Sequence, residues 1–121
     1  MTDYPKKYDL EERTAKLGEN VILFCKSLPQ NLINSPIVTQ LIRSSTSVGA
    51  NYMEANGASS KKDFRNKIFI CKKEIQETKH WLRMVVAGNP ECKVRCDKLL
   101  QESQELTLIF GKIVSSLNIG N

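Results

Sequence analysis

Glu77-Thr78-Lys79-His80 places a carboxylate and an imidazole three residues apart. On a helix that spacing puts both on one face, as in one half of a di-iron carboxylate site. A complete site needs two such pairs and further glutamates. The chain has a single histidine, so only a site shared between subunits would serve. Cys92 and Cys96, four apart, could present two thiolates to a metal, with Cys25 and Cys71 completing a four-thiolate zinc site. Cys71, Cys92 and Cys96 also fall on apolar stripes, however, where cysteine acts as a small buried residue. The latter reading is favoured, and no metal or cofactor is expected. The chain lacks a glycine-rich phosphate loop, a Gly-x-Ser-x-Gly elbow and a Ser-His-Asp set. The expectation is a protein that is not an enzyme and has no catalytic residues.

The other carboxylates of interest belong to a structural pattern. Glu74, Glu77 and Trp81 share one edge of a helix, and Ser47, Asn51 and Glu54 share an edge of another. Carboxylates set beside an apolar seam need partners. Arg43, Asn51, Glu54, Glu74 and Glu77 are therefore expected to form a structural polar network.

Charge gives a further candidate. The chain of 121 residues carries a formal net charge of +5. From Ser60 to Leu100 there are eleven Lys and Arg against five Asp and Glu, while the rest of the chain is nearly balanced. Clustered cations raise the local concentration of anions. Lys61, Lys62, Arg65, Lys72, Lys73, Lys79 and Arg83 are the candidate nucleic-acid contacts. The plain alternative is a solvated helix face.

The elements that must position these residues are all helices. Leu10, Leu17, Val21, Phe24 and Leu28 form one face of a first helix, opened by Asp9 and Glu12 as a capping box and stopped by Pro29. Ser35 as N-cap and Pro36 at the first position open a second. Its stripe is Val38, Leu41, Ser45, Val48, Tyr52 and Ala55, and its small middle residues would let a neighbouring backbone come close. Ser60 and Asp63 cap a third, in which Phe64, Ile68, Cys71, Ile75, Thr78, Leu82 and Val85 alternate steps of four and three until Gly88 ends it as a C′ residue. Asn89-Pro90 starts a fourth, striped by Cys92, Cys96, Leu99, Ser103, Leu106, Phe110, Ile113 and Leu117. The spacing predicts helices over 10–28, 36–56, 61–87 and 90–117. Short loops favour antiparallel neighbours, so the fold class is all-α, an antiparallel up-down-up-down four-helix bundle in one domain spanning 1–121. Ile22, Ile42, Phe69, Ile70, Trp81 and Val86 fall off the seams. Apolar residues beyond one stripe call for a second partner, which a homo-oligomer would supply; the plain alternative is a wide seam within a single bundle. The longest apolar run, Val21 to Cys25, is far too short for a bilayer, and no signal-peptide pattern opens the chain. A cytoplasmic protein is expected, with no membrane partner.

Arg43-Ser44-Ser45-Thr46-Ser47-Val48-Gly49-Ala50-Asn51-Tyr52-Met53-Glu54-Ala55 resembles the signature of a bacterial four-helix-bundle family that includes the 23S ribosomal RNA intervening-sequence protein. So does the stretch holding Ser60, Asp63-Phe64, Lys67, Ile70, Lys73-Glu74, Glu77-Thr78 and Trp81-Leu82. The resemblance is strong over the second and third helices and extends by helix order from about Leu10 to Leu117. The chain reads Val48-Gly49-Ala50 and Tyr52 where many members have Ile-Pro-Ser and Ile. The resemblance implies antiparallel bundles assembled as a ring-shaped homopentamer with a central channel. Some members are encoded inside intervening sequences of ribosomal RNA genes. A related member, the accessory variability protein of diversity-generating retroelements, binds a reverse transcriptase and nucleic acid through a basic surface. No catalytic residues carry over. The expected function is a non-enzymatic, homo-oligomeric and pentameric adaptor that contacts RNA, DNA or a nucleic-acid enzyme by charge. The alternative is a protein–protein interaction module with no nucleic-acid role.

Overall fold

The computed structural model describes residues 9–118. Four helices follow in chain order: α1 (Leu10–Lys26), α2 (Asn34–Asn56), α3 (Lys61–Gly88) and α4 (Lys93–Asn118), with a single 3-10 turn at Pro90–Cys92 before the last. Each helix packs on its chain neighbours, and α1 also meets α4, closing the bundle into a four-sided prism. The α1/α2 and α3/α4 sides are therefore opposite one another.

The expected stripes converge on one core. Every residue of the α1 and α3 stripes is buried, as are Leu41, Ser45, Val48, Tyr52 and Ala55 of α2. On α4 the stripe is buried from Cys92 to Leu117, except for Leu99, which packs half-buried against the core. Alternating steps of four and three keep a helix seam facing its partners. The small middle of α2 is helical because α1 covers it. A Cβ on Gly49 would lie 3.6 Å from the Thr14 carbonyl carbon, and one on Gly18 3.5 Å from the Thr46 Cα. The hydroxyls that weaken helix propensity are absorbed locally. Thr46 Oγ1 donates to the Ile42 carbonyl at 2.8 Å, and Ser44 accepts from Thr78 Oγ1 at 3.0 Å.

The helix ends depart from the sequence expectations. Asp9 makes no side-chain cap; it sits in the left-handed region at φ 52°, and its carbonyl accepts from Arg13 N at 2.9 Å. Asp tolerates that region better than most residues. Helix α1 stops at Lys26, two residues before the expected Leu28, because the Ser27 hydroxyl and amide both donate to the Phe24 carbonyl. Leu28 stays buried beyond the helix end. Helix α2 opens at Asn34 rather than after Ser35. Asn31 Oδ1 accepts from Ile33 N at 3.1 Å and Asn34 N at 2.8 Å, so Asn31, not Ser35, satisfies the first amides. Pro36 still falls in the first turn, where a missing N–H costs nothing.

Ser60 caps α3 as expected, accepting from Asp63 N at 3.0 Å. The return bond comes from Ser59 N to Asp63 Oδ2 at 3.4 Å, one residue away from a true box. Gly88 is the last helical residue and not a left-handed C′. The stop is Asn89, whose amide side chain donates to the Val85 carbonyl at 2.9 Å and to Asn34 Oδ1 at 2.8 Å. The Asn34 side chain returns a bond to Asn89 Oδ1 at 3.1 Å. This buried pair locks the start of α2 to the end of α3. Gly88 is small because a Cβ there would meet Ile33 Cγ2 at 3.3 Å. Asn89-Pro90 begins the 3-10 turn, not α4 itself, which starts at Lys93.

Candidate functional site

The structure separates the residues that could have made a metal site. Glu77 leans toward α2 and pairs with Arg43 Nη2. His80 is exposed, with its ring edge-on to Trp81 at 4.9 Å. Cys92 and Cys96 hold their sulfurs 3.9 Å apart. Among the described residues no three His, Cys, Asp or Glu side chains gather where a metal could sit. All four cysteines are free and buried. Burial pushes the Cys25 thiol up to about 11, and the Cys71 and Cys96 thiols up to about 12. Thiols held neutral in this way are poor nucleophiles and poor ligands.

The five residues of the polar network divide into two clusters and a singleton. Arg43 on α2 reaches across to α3, with Nη1 at 3.3 Å from Glu74 Oε1 and Nη2 on Glu77. Glu74 is buried and Arg43 is its cation, an arrangement that satisfies a carboxylate at the edge of the seam. Glu54 instead pairs with Lys67 Nζ at 2.8 Å, and that bond raises the Lys67 pKa. Asn51 turns back to its own helix, donating to the Ser47 carbonyl at 2.9 Å. A further network lies between α1 and α4, where Arg13 forks onto Glu102 at 2.7 Å and Glu105 at 3.0 Å. Hydrogen bonding to Glu102, opposed by partial burial, holds the Arg13 guanidinium above its ordinary value. Nothing local marked this network, because the two glutamates are 89 and 92 residues from Arg13.

The cations of α3 sort by helix geometry. At 3.6 residues per turn, Lys61, Arg65, Lys72, Lys79 and Arg83 fall on the flank that faces α4. Lys62 and Lys73 point outward, whereas Lys67 falls on the α2 flank with Glu54. The α4-facing flank is corroborated by contact: Lys79 Nζ donates to Gln104 Oε1 at 2.8 Å, and Lys72 Nζ lies 4.0 Å from where a Gly111 Cβ would be. Arg65 stacks its guanidinium over the Phe69 ring at 5.1 Å. Lys61, Lys62, Lys72, Lys73 and Arg83 make no ion pair among the described residues. Other cations of the basic stretch are engaged. Arg95 donates to Ser27 Oγ at 2.7 Å and covers Phe24, and Lys93 pairs with Asp97 at 2.9 Å. Between α3 and α4, Lys79, Arg83, Lys93 and Asp97 line a groove of about 460 Å³ together with Leu82, Val86 and Leu100.

The opposite side has the other sign. Between α1 and α2 lies a groove of about 520 Å³, with Ala15, Gly18, Ile22, Gly49, Ala50 and Met53 along it and Glu11, Glu12 and Glu19 at its rim. The sequence pointed to Ile22 as an off-seam residue but not to this groove. The signal was the pairing of Ala15-x-x-Gly18 on α1 with Gly49-Ala50 on α2, legible only once the two helices are known to cross there.

No helix of the described residues is long and apolar enough to cross a membrane. No curated protein matches the chain. A crystal structure of a protein of unknown function from the S23 ribosomal protein family, from Bacteroides thetaiotaomicron, matches with a TM-score of 0.76 and 27% identity, covering 87% of this chain and 97% of that one. The family model for the 23S rRNA-intervening sequence protein matches residues 6–112. With the bundle, its helix order and the Arg43–Ala55 signature in agreement, the chain belongs to the 23S rRNA-intervening sequence protein family.

Proposed function

We propose that this protein is a non-enzymatic, homo-oligomeric adaptor that holds RNA or a nucleoprotein by charge. The supporting observation is the run of cations along the α4-facing flank and outward face of α3, free of ion pairs among the described residues at Lys61, Lys62, Lys72, Lys73 and Arg83. Lys79 and Arg83 stand about one turn apart, about 6 Å along the axis, so this end of the flank offers adjacent contacts to a polyanion without reading bases. Phosphate contacts position a protein but carry no sequence information. The family resemblance supports a ring of five copies, in which weak single contacts would act together.

Retention of a generic structured RNA on a filter, titrated with salt, tests this. Affinity should fall steeply as salt rises, because each phosphate contact releases counterions. Lys79→Glu with Arg83→Glu should lower the affinity and flatten its salt dependence. No retention at low salt, or retention indifferent to salt, would refute the reading.

A second reading, a protein–protein module with no nucleic-acid role, draws support from the acidic-rimmed apolar groove between α1 and α2. A partner captured from native lysate that survives nuclease treatment would favour it.

A further inference from the structure

The two opposite sides of the bundle carry complementary features at matching height. Thr14 and Gly18 of α1 lie against Gly49 and Thr46 of α2, and Val48 of α2 accepts from Cys71 Sγ at 3.6 Å. The α1 stretch from Glu12 to Glu19 is thus level with the α3 stretch around Phe69 and Lys72. On the α1/α2 side the order along the helix is acid, small apolar floor, acid: Glu11 and Glu12, then Ala15 and Gly18, then Glu19. On the α3/α4 side it is cation, exposed aromatic, cation: Arg65, Phe69, Lys72. Both sets step by about one turn and then another.

Phe69 is 41% exposed. Phe69 carries the Arg65 guanidinium over its ring at 5.1 Å, so an apolar ring and a cation are presented together, a pair of residue types that anchors interfaces when covered. Arg65 Nε has no hydrogen-bond partner among the described residues. Across the molecule, Ile22 at 39% and Met53 at 64% exposure edge a groove with room for a ring. Among the described residues Glu11 has no cation within ion-pair distance, and Glu12 and Glu19 share only the exposed Lys16, at 3.9 Å each.

We propose that the Arg65–Phe69–Lys72 ridge of one copy seats in the α1/α2 groove of a second copy, with Phe69 on the Ala15–Gly49 floor and the two cations against Glu11, Glu12 and Glu19. The proposal deepens the self-assembly half of the function proposed above, and rests on it. Because ridge and groove lie on opposite sides, the contact is head to tail: each copy offers a groove to one neighbour and a ridge to the other. Such a heterologous contact closes into a ring when the rotation per copy divides a full turn. The Lys79 and Arg83 end of the basic side lies outside the footprint and stays open to a polyanion.

The test uses two folded variants with opposite lesions. Phe69→Asp destroys the ridge and leaves the groove; Ala15→Arg fills the groove and leaves the ridge. Both sites are at the surface, so helix content by circular dichroism should not change. Light scattering at micromolar concentration should show an oligomer for the unaltered chain and a monomer for each variant. An equimolar mixture of the two should give a dimer of twice the monomer mass, since one intact groove and one intact ridge remain. Variants that stay oligomeric, or monomeric variants whose mixture stays monomeric, would overturn the proposal. So would an unaltered chain that is monomeric. If Phe69→Asp loses helix content, Arg65→Glu replaces it with the same outcomes. Salt-titrated RNA retention on the same samples separates the two ideas. Loss of RNA binding by an oligomer that mixes as described would sink only the RNA reading. Intact RNA binding by an unaltered monomer would sink the self-assembly half and the docking faces with it, and leave the RNA reading standing.

Discussion

Tyr52 shows how a single side chain can be well packed and poorly satisfied. It is fully buried, and its ring lies 6.3 Å from Phe110. Its hydroxyl has no hydrogen-bond partner among the described residues, with the Asn56 side chain as a weak polar neighbour, and burial pushes the phenol up to about 12. A buried polar atom without a partner costs about 1–3 kcal/mol. Tyr52→Phe should therefore raise stability by about 1 kcal/mol in urea denaturation; a loss of that size would show that the hydroxyl is bonded after all. Cys25, Cys71 and Cys96 give a pH dependence of definite sign. Their folded pKa values lie above the ordinary thiol range because of burial. The folded state thus holds its protons more tightly than the unfolded state. Stability from this source is complete below about pH 8.5 and declines between there and the folded values, by up to about 1.4 kcal/mol per pH unit for each thiol. Denaturation midpoints should be level from pH 7 to 8 and fall through pH 9–11, and replacing Cys71 by Ala should shallow that fall.

The contacts between elements decide which substitutions the bundle tolerates. Gly49 weakens α2 locally, by about 0.5–1 kcal/mol relative to alanine, and its value is the close approach of α1. A Cβ there would lie 3.4 Å from Thr14 Oγ1, which is ordinary contact. Gly49→Ala should accordingly be neutral within about 1 kcal/mol, its helix propensity offsetting the crowding. Gly49→Leu should force α1 and α2 apart and cost about 1–3 kcal/mol. Between α2 and α3, Arg43→Ala strands the buried Glu74 carboxylate and should cost about 1–3 kcal/mol. Adding Glu74→Gln should recover part of that loss, because the uncompensated charge is gone. A pair of losses that simply add would mean that the two residues act independently.

Segregated charge organises the whole molecule. A chain of net charge +5 gathers cations on its α3/α4 side, with Lys72 and Arg83 free of ion pairs among the described residues, and three glutamates on its α1/α2 side. Opposite faces of opposite sign favour copies that associate in one direction and steer that encounter electrostatically. Assembly measured by light scattering should weaken as salt rises, more for an Arg65→Lys variant than for Lys79→Arg, since only the former changes the stacked cation of the ridge.

Periodicity in the chain was enough to determine four helices, their core residues and their antiparallel order, because a stripe repeating every three or four positions has one low-energy way to leave water. Residues such as Ile68, Cys71 and Leu106 announced themselves by register alone. Helix ends were less legible. The Asn34–Asn89 pair and the Asn31 cap depend on loop paths, and a capping motif such as Asp9-x-x-Glu12 states only what a backbone could do. Cations of α3 were visible as a cluster, but their division into a flank facing α4, an outward face and a pair with Glu54 required the neighbours to be in place. The acidic groove was beyond reach from the chain alone. Its floor is made by glycines and alanines of two helices whose crossing point is set by packing, and only tertiary structure decides which small residues meet.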